Sequence, residues 1–116
     1  MKIPKPTDAD KAFFESIVPP NAEIKPMFGN LGGFVNGNMF MGLFGPDVGV
    51  RLKPDDRVLL EAVDGSGPFG PEDRPMKEYL ALPAAWRDDP IQAEEWAGRA
   101  YDYVAAMPPK VKKSKK

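Results

Sequence analysis

The dipeptide Asn36-Gly37 constrains this chain more than any other pair of residues. It lies inside LGGFVNGNMFMGLFG, and Asn-Gly is what a two-residue type I′ turn requires, because both central positions need positive φ. With apolar residues on either side, the pair predicts a β-hairpin. Neighbouring segments extend the hairpin into an antiparallel meander. EIKPMF (23–28) reads as a short strand whose Pro26 suits an edge or a bulge. After a second turn begun by Asp47, VGVRLK alternates, with Val48, Val50 and Leu52 on one side and Arg51 and Lys53 on the other.

Helical patterns flank the meander. TDADKAFFESIV offers Thr7 as N-cap and Asp8 and Asp10 in the first turn, and predicts a helix over 7–18 with Ala9, Phe13 and Ile17 on its apolar face and Phe14 and Val18 beside them. Pro19-Pro20 ends it. Lys53-Pro54-Asp55-Asp56 starts a second helix, RVLLEAV, which Asp64-Gly65 closes. Residues 65–76 form a loop dense in Gly and Pro, and KEYLALP alternates as one more strand. Asp88, Asp89 and Pro90 open a last helix with a stripe of Ala93, Trp96 or Ala97, Ala100, Val104 and Met107. The order α-β-β-β-β-α-β-α predicts an α+β fold, a two-layer sandwich with helices on one face of an antiparallel sheet. The 116 residues allow one domain, expected over 1–107, with 108–116 as a disordered basic tail.

The absence of histidine and cysteine restricts the chemistry. Of the 116 residues none is either, which removes thiol nucleophiles, imidazole bases, Ser-His-Asp triads, thiolate or imidazole zinc sites and disulfides. Aliphatic hydroxyls are confined to Thr7, Ser16, Ser66 and Ser114. No enzyme, cofactor or metal is expected. Asp55-Asp56, Glu72-Asp73, Asp88-Asp89 and Glu94-Glu95 are carboxylate pairs, mostly at helix starts or in loops, where the dipole and solvent account for them. Gly65-Ser66-Gly67-Pro68-Phe69-Gly70 satisfies G-x-G-x-x-G, but it follows a helix and two prolines remove donors, so it reads as a loop.

The net charge of −1 conceals an acidic body and a basic tail: residues 1–109 hold 11 basic against 17 acidic side chains. An acidic body repels phosphate backbones. Nucleic-acid contact, expected to be weak, therefore falls to the tail lysines Lys110, Lys112, Lys113, Lys115 and Lys116. No apolar run reaches the length of a membrane span and the first residues lack a secretory h-region, so a cytoplasmic protein without membrane contact is expected.

Met27, Phe28, Phe34, Met39, Phe40, Met41 and Phe44 crowd eighteen residues of sheet, more than one buried face requires. Either both faces are covered or one is an interface, and a homodimer or another protein partner is the expectation.

Lys25-Pro26-Met27-Phe28-Gly29, followed by Gly32-Gly33-Phe34-Val35-Asn36-Gly37-Asn38-Met39-Phe40, resembles the signature of the TfoX N-terminal domain family. Val50-Arg51-Leu52, Pro68-Phe69, Arg74-Pro75-Met76-Lys77-Glu78-Tyr79, Leu82-Pro83 and the helix with Trp96 continue the resemblance in order, over about residues 10–107. It implies a two-layer sandwich like that of secretion-chaperone-like domains, which commonly pair. TfoX/Sxy proteins are linked to regulation of transformation competence and carry a second, C-terminal domain, where this chain has its lysine tail. A stand-alone, non-enzymatic regulatory or protein-interaction module is therefore expected. Asn30 stands where the family often has a second glycine. As an alternative, Met27, Phe28, Arg51, Arg74 and Tyr79 could converge on a small anionic ligand. The motif positions Gly29, Gly33 and Met76, with Trp86, complete the candidate ligand or interface set.

Overall fold

Thr7 opens the first helix, α1 (Asp8–Ile17), in a computed structural model that describes residues 5–27, 29–71 and 75–109. The Thr7 hydroxyl accepts from the Asp10 backbone N–H at 3.0 Å, and the Asp10 carboxylate accepts from the Thr7 N–H at 2.8 Å, a reciprocal capping box. Asp10 is thereby drawn inward, where Arg87 meets its other oxygen at 2.9 Å. The Thr7 backbone N–H, reinforced by its hydroxyl and by Arg87, holds this carboxyl below the usual carboxylate range against the opposing effect of burial. One consequence corrects the predicted helix face. Asp10, Phe14 and Ile17 are the buried residues of α1, whereas Ala9 is exposed and Phe13 only half-buried beneath the Arg87 guanidinium.

The sheet comprises β1 (Glu23–Met27), β2 (Asn30–Val35), β3 (Asn38–Phe44), β4 (Asp47–Arg51), β5 (Gly67–Pro68) and β6 (Tyr79–Ala81). Its spatial order is β1-β2-β3-β4-β6-β5, antiparallel throughout. β1 is an edge, as Pro26 requires. Asn36 and Gly37 both take positive φ, 54° and 80°, which confirms the type I′ hairpin. The second turn lies two residues earlier than Asp47: Gly45, at φ 63°, and Pro46 make it, and Asp47 already belongs to β4. Asn30 secures that turn, its buried Oδ1 accepting from the Gly45 N–H at 2.8 Å. Where the resemblance leads one to expect a glycine, this side chain supplies a hydrogen bond instead.

Crowding of large side chains in β3 is resolved by a β-bulge. Gly33 pairs with Met41 and Phe34 with Met39, so Phe40 is the extra residue. Phe40 and Met41, consecutive in sequence, both reach the helical layer and are fully buried there. Phe40 meets Tyr101 edge-on at 5.3 Å. Met39, Gly42 and Phe44 fall on the opposite face.

Helix α2 (Pro54–Glu61) begins at the predicted proline, with Pro54 at its first position. Helix α3 (Pro90–Ala105) follows a 3₁₀ turn at Ala84–Asp88 and lies across β3 and β4. Ala93, Trp96, Ala97, Ala100 and Val104 are its buried stripe, as the periodicity predicts, while Met107 of the predicted stripe lies past the helix end and is partly buried. They meet Val48 and Val50 of the sheet, Leu52 after it and Leu60 of α2 in one continuous core. The architecture is thus the expected α+β sandwich with helices on one face. β5 is an addition, two residues inside the predicted Gly/Pro loop that pair with β6. β6 is shorter than KEYLALP, because Glu78 adopts φ 72° and breaks the extended run.

Candidate functional site

Three glycines stand in register across the face that the helices leave uncovered. Gly32 pairs with Gly42, Gly42 with Gly49, and Gly49 with Ala81. Without side chains, this row forms a shallow trough across the sheet. Phe69, the residue after β5, lies in it, and its ring is 2% exposed although it belongs to the face away from the helices. A Cβ at Gly49 would overlap the Phe69 ring, and one at Gly42 would touch it at 3.5 Å. Tyr79 stacks on the same ring at 6.0 Å, and Phe44 meets it edge-on at 6.2 Å. The Met76 N–H donates to the Phe69 carbonyl at 2.9 Å and brings Met76 beside it.

This arrangement borders an apolar cavity of about 240 Å³ that is partly open to solvent. Leu31, Gly42 and Leu43 of the central strands form its floor, Met27 and Met39 one wall, Phe44 and Phe69 another, and Pro71 and Met76 its rim. Asn30, already bonded to Gly45, is the one polar residue among the described lining, and no charged residue is there. Over the neighbouring Gly32 a Cβ would come within 2.8 Å of the Met27 sulfur and 2.9 Å of Phe34, so this end of the trough is filled by side chains.

The predicted residues separate around this cavity. Met27 and Met76 line it. Tyr79 lies behind Phe69, its hydroxyl donating to the Met39 carbonyl at 3.0 Å. Burial pushes the Tyr79 phenol up to about 12, with Arg51 opposing and Glu78 adding to the shift. Arg51 pairs with Tyr79 across the ladder, but its Nε donates to Glu78 at 2.8 Å and it does not line the cavity. Glu78 holds a left-handed backbone conformation that costs on the order of 1 kcal/mol. The Arg51 contact and the Leu52 N–H donating to the Glu78 carbonyl, at 3.0 Å, hold it in place. Gly29, at φ 83°, shapes the β1–β2 turn. Gly33 belongs to the bulge on the helical side, where an added Cβ would come within 3.0 Å of Met41. Trp86 packs against the core and borders a narrow crevice with Phe13 and Arg87. Phe28, Arg74 and the lysines Lys110, Lys112, Lys113, Lys115 and Lys116 lie outside the described residues.

Of the described cavity lining only Met27 and Met76 were among the predicted site residues; Phe69 and Gly42 are the most consequential of those that sequence reasoning missed. Elsewhere two of the paired carboxylates are engaged structurally: Arg99 bridges Asp56 and Glu95 at 3.0 Å each, over the Trp96 ring. Among the described residues no three carboxylates gather to hold a metal ion. No helix among them is long and apolar enough to cross a membrane.

A helix-backed antiparallel sheet whose far face carries its own small apolar layer defines the class of domain. The chain belongs to the TfoX N-terminal domain family, whose model matches residues 14–104. Neither the curated proteins nor the solved structures contain a match to it.

Two predictions follow from the trough. Gly49→Ala destabilises the protein by about 1–3 kcal/mol through overpacking against Phe69. In a Phe69→Ala background the same change costs little, so a urea-unfolding double-mutant cycle measures the coupling. Tyr79 sets a pH dependence at the alkaline end. Its folded value of about 12 lies above the unfolded value of 10.0, so its stabilisation is complete below pH 10 and is lost as pH rises towards 12. The loss is on the order of 2 kcal/mol. Unfolding midpoints measured across that window should show this slope in the natural protein and lack it in Tyr79→Phe.

Proposed function

We propose that this domain is a non-enzymatic interaction module, regulatory or structural in effect, whose working surface is the sheet face opposite the helices. A second copy of the chain is its first partner. The observation that carries the reading is the methionine- and phenylalanine-walled cavity in that face, apolar in every described lining residue but Asn30. Methionine side chains suit a surface that must adapt to a partner, being unbranched and polarizable. Reactive groups are scarce near it. The Tyr79 hydroxyl is engaged with a backbone carbonyl and the Arg51 guanidinium with Glu78, and the chain has neither histidine nor cysteine.

Pairing by strand addition is disfavoured at β1, because Pro26 has no N–H to offer and Lys25 adds charge along the edge. Face-to-face association over Met27 and Met39 avoids that obstacle. Family membership supports the same reading, since the fold implied by the resemblance is one whose members commonly pair. The location we propose is cytoplasmic.

Sedimentation equilibrium at tens of micromolar is expected to give a dimer mass for the natural chain. Met27→Lys combined with Met39→Lys is expected to give a monomer with an unchanged circular dichroism spectrum. Val58→Lys with Leu59→Lys, exposed on α2, should leave the dimer intact. A monomer throughout the concentration range, or a dimer lost only in the α2 variant, contradicts the proposal.

A further inference from the structure

We infer that the cavity between Met39, Phe44 and Phe69 is a binding site for a free, uncharged aromatic small molecule of one or two fused rings. The protein itself displays the geometry that such a ligand would use. Phe69 already lies as a ring on the glycine row, against Gly49 and the edge of Gly42, with Tyr79 stacked on it. The cavity borders that trough at Gly42 and extends beside Leu31, Leu43 and Asn30, not over the filled position of Gly32. A flat occupant beside Phe69 would rest on peptide surface that no side chain at position 42 obstructs.

Size narrows the ligand further. At roughly 25–30 Å³ per non-hydrogen atom, a space of about 240 Å³ holds about eight to ten of them. Indole and naphthalene fall in that range. The walls select for polarity: Met27, Met39 and Met76 present thioethers, which make favourable contacts with ring edges, and Phe44 and Phe69 present rings. Nothing in the described lining can neutralise a carboxylate or phosphate, so an anionic ring would lose its hydration without a partner. Arg51, the described cation nearest in the ladder to Tyr79, is held by Glu78.

The inference rests on the reading of this face as the working surface and makes the ring a competitor of the second copy for Met27 and Met39, so the titration is run at protein concentrations below and above the range in which the dimer forms. Ring binding is followed on methionine methyl resonances and pairing on mass. The full chain with labelled methionine methyls is titrated with indole, naphthalene and 2-naphthoate. Indole and naphthalene should shift Met27, Met39 and Met76 saturably, with a Kd of about a millimolar or tighter, and leave Met107 unmoved. 2-Naphthoate should bind at least about tenfold more weakly. Gly42→Leu, whose Cβ meets no atom closer than 3.5 Å, should fill the cavity, keep the folded spectrum and lose the response. Absence of saturable shifts, equal binding of naphthalene by Gly42→Leu, or equal affinity for naphthoate overturns the inference. A dimer that dissociates in Met27→Lys/Met39→Lys while no ring binds would leave the proposed function standing and remove this inference alone.

Discussion

The contact of Phe69 with the glycine row is the constraint on which the far side of this protein depends. Gly32, Gly42 and Gly49 come into register only when the two hairpins and the bulge are formed, and each glycine in a strand costs roughly 0.5–1 kcal/mol relative to alanine. Burying a phenylalanine ring contributes about 1.5–3 kcal/mol, which offsets most of that cost. The result is a second, thin apolar layer behind the sheet, distinct from the helical core. Phe69 does not belong to the core cluster that joins α1, α2 and α3 to the sheet.

Much of the fold was legible because its determinants are local. Asn36-Gly37 specifies its turn through the φ values of two residues, Thr7 and Asp10 cap a helix three residues apart, and the α3 stripe repeats within one element. What escaped reading was set at a distance. Asp10 is buried because Arg87, far along the chain, meets the carboxylate oxygen that the capping box leaves, so the buried face of α1 runs through Asp10, Phe14 and Ile17 and leaves Ala9 exposed. Gly45-Pro46, and not Asp47, makes the second turn, with Asn30 holding it from β2.

The site was legible in part for the same reason. Met27, Met76 and Tyr79 could be named from composition and resemblance, but Phe69 read as one residue of a loop. A signal was present: Gly42 and Gly49 are equally spaced about Gly45-Pro46, so a hairpin turning there must place them opposite each other. Gly32 needed the bulge as well. A regular hairpin about Asn36-Gly37 would have set Leu31 opposite Gly42, and only the extra residue Phe40 moves Gly32 there. Chemical character differs between the layers, although Arg51 with Glu78 and Lys25 over Phe34 carry charge on the glycine side as well. Charges are paired around the helices, through Arg87 with Asp10 and Arg99 with Asp56 and Glu95, while the glycine face is walled with methionine and phenylalanine.

The central claim is that Phe69 is seated in the trough and that the cavity exists because of it. Nuclear Overhauser contacts between the Phe69 ring protons and the α-protons of Gly42 and Gly49 test it most directly. The account predicts strong contacts to both glycines, with the Gly49 α-protons shifted upfield by the ring. Random-coil shifts for both glycines and a Phe69 ring without cross-strand contacts would contradict it.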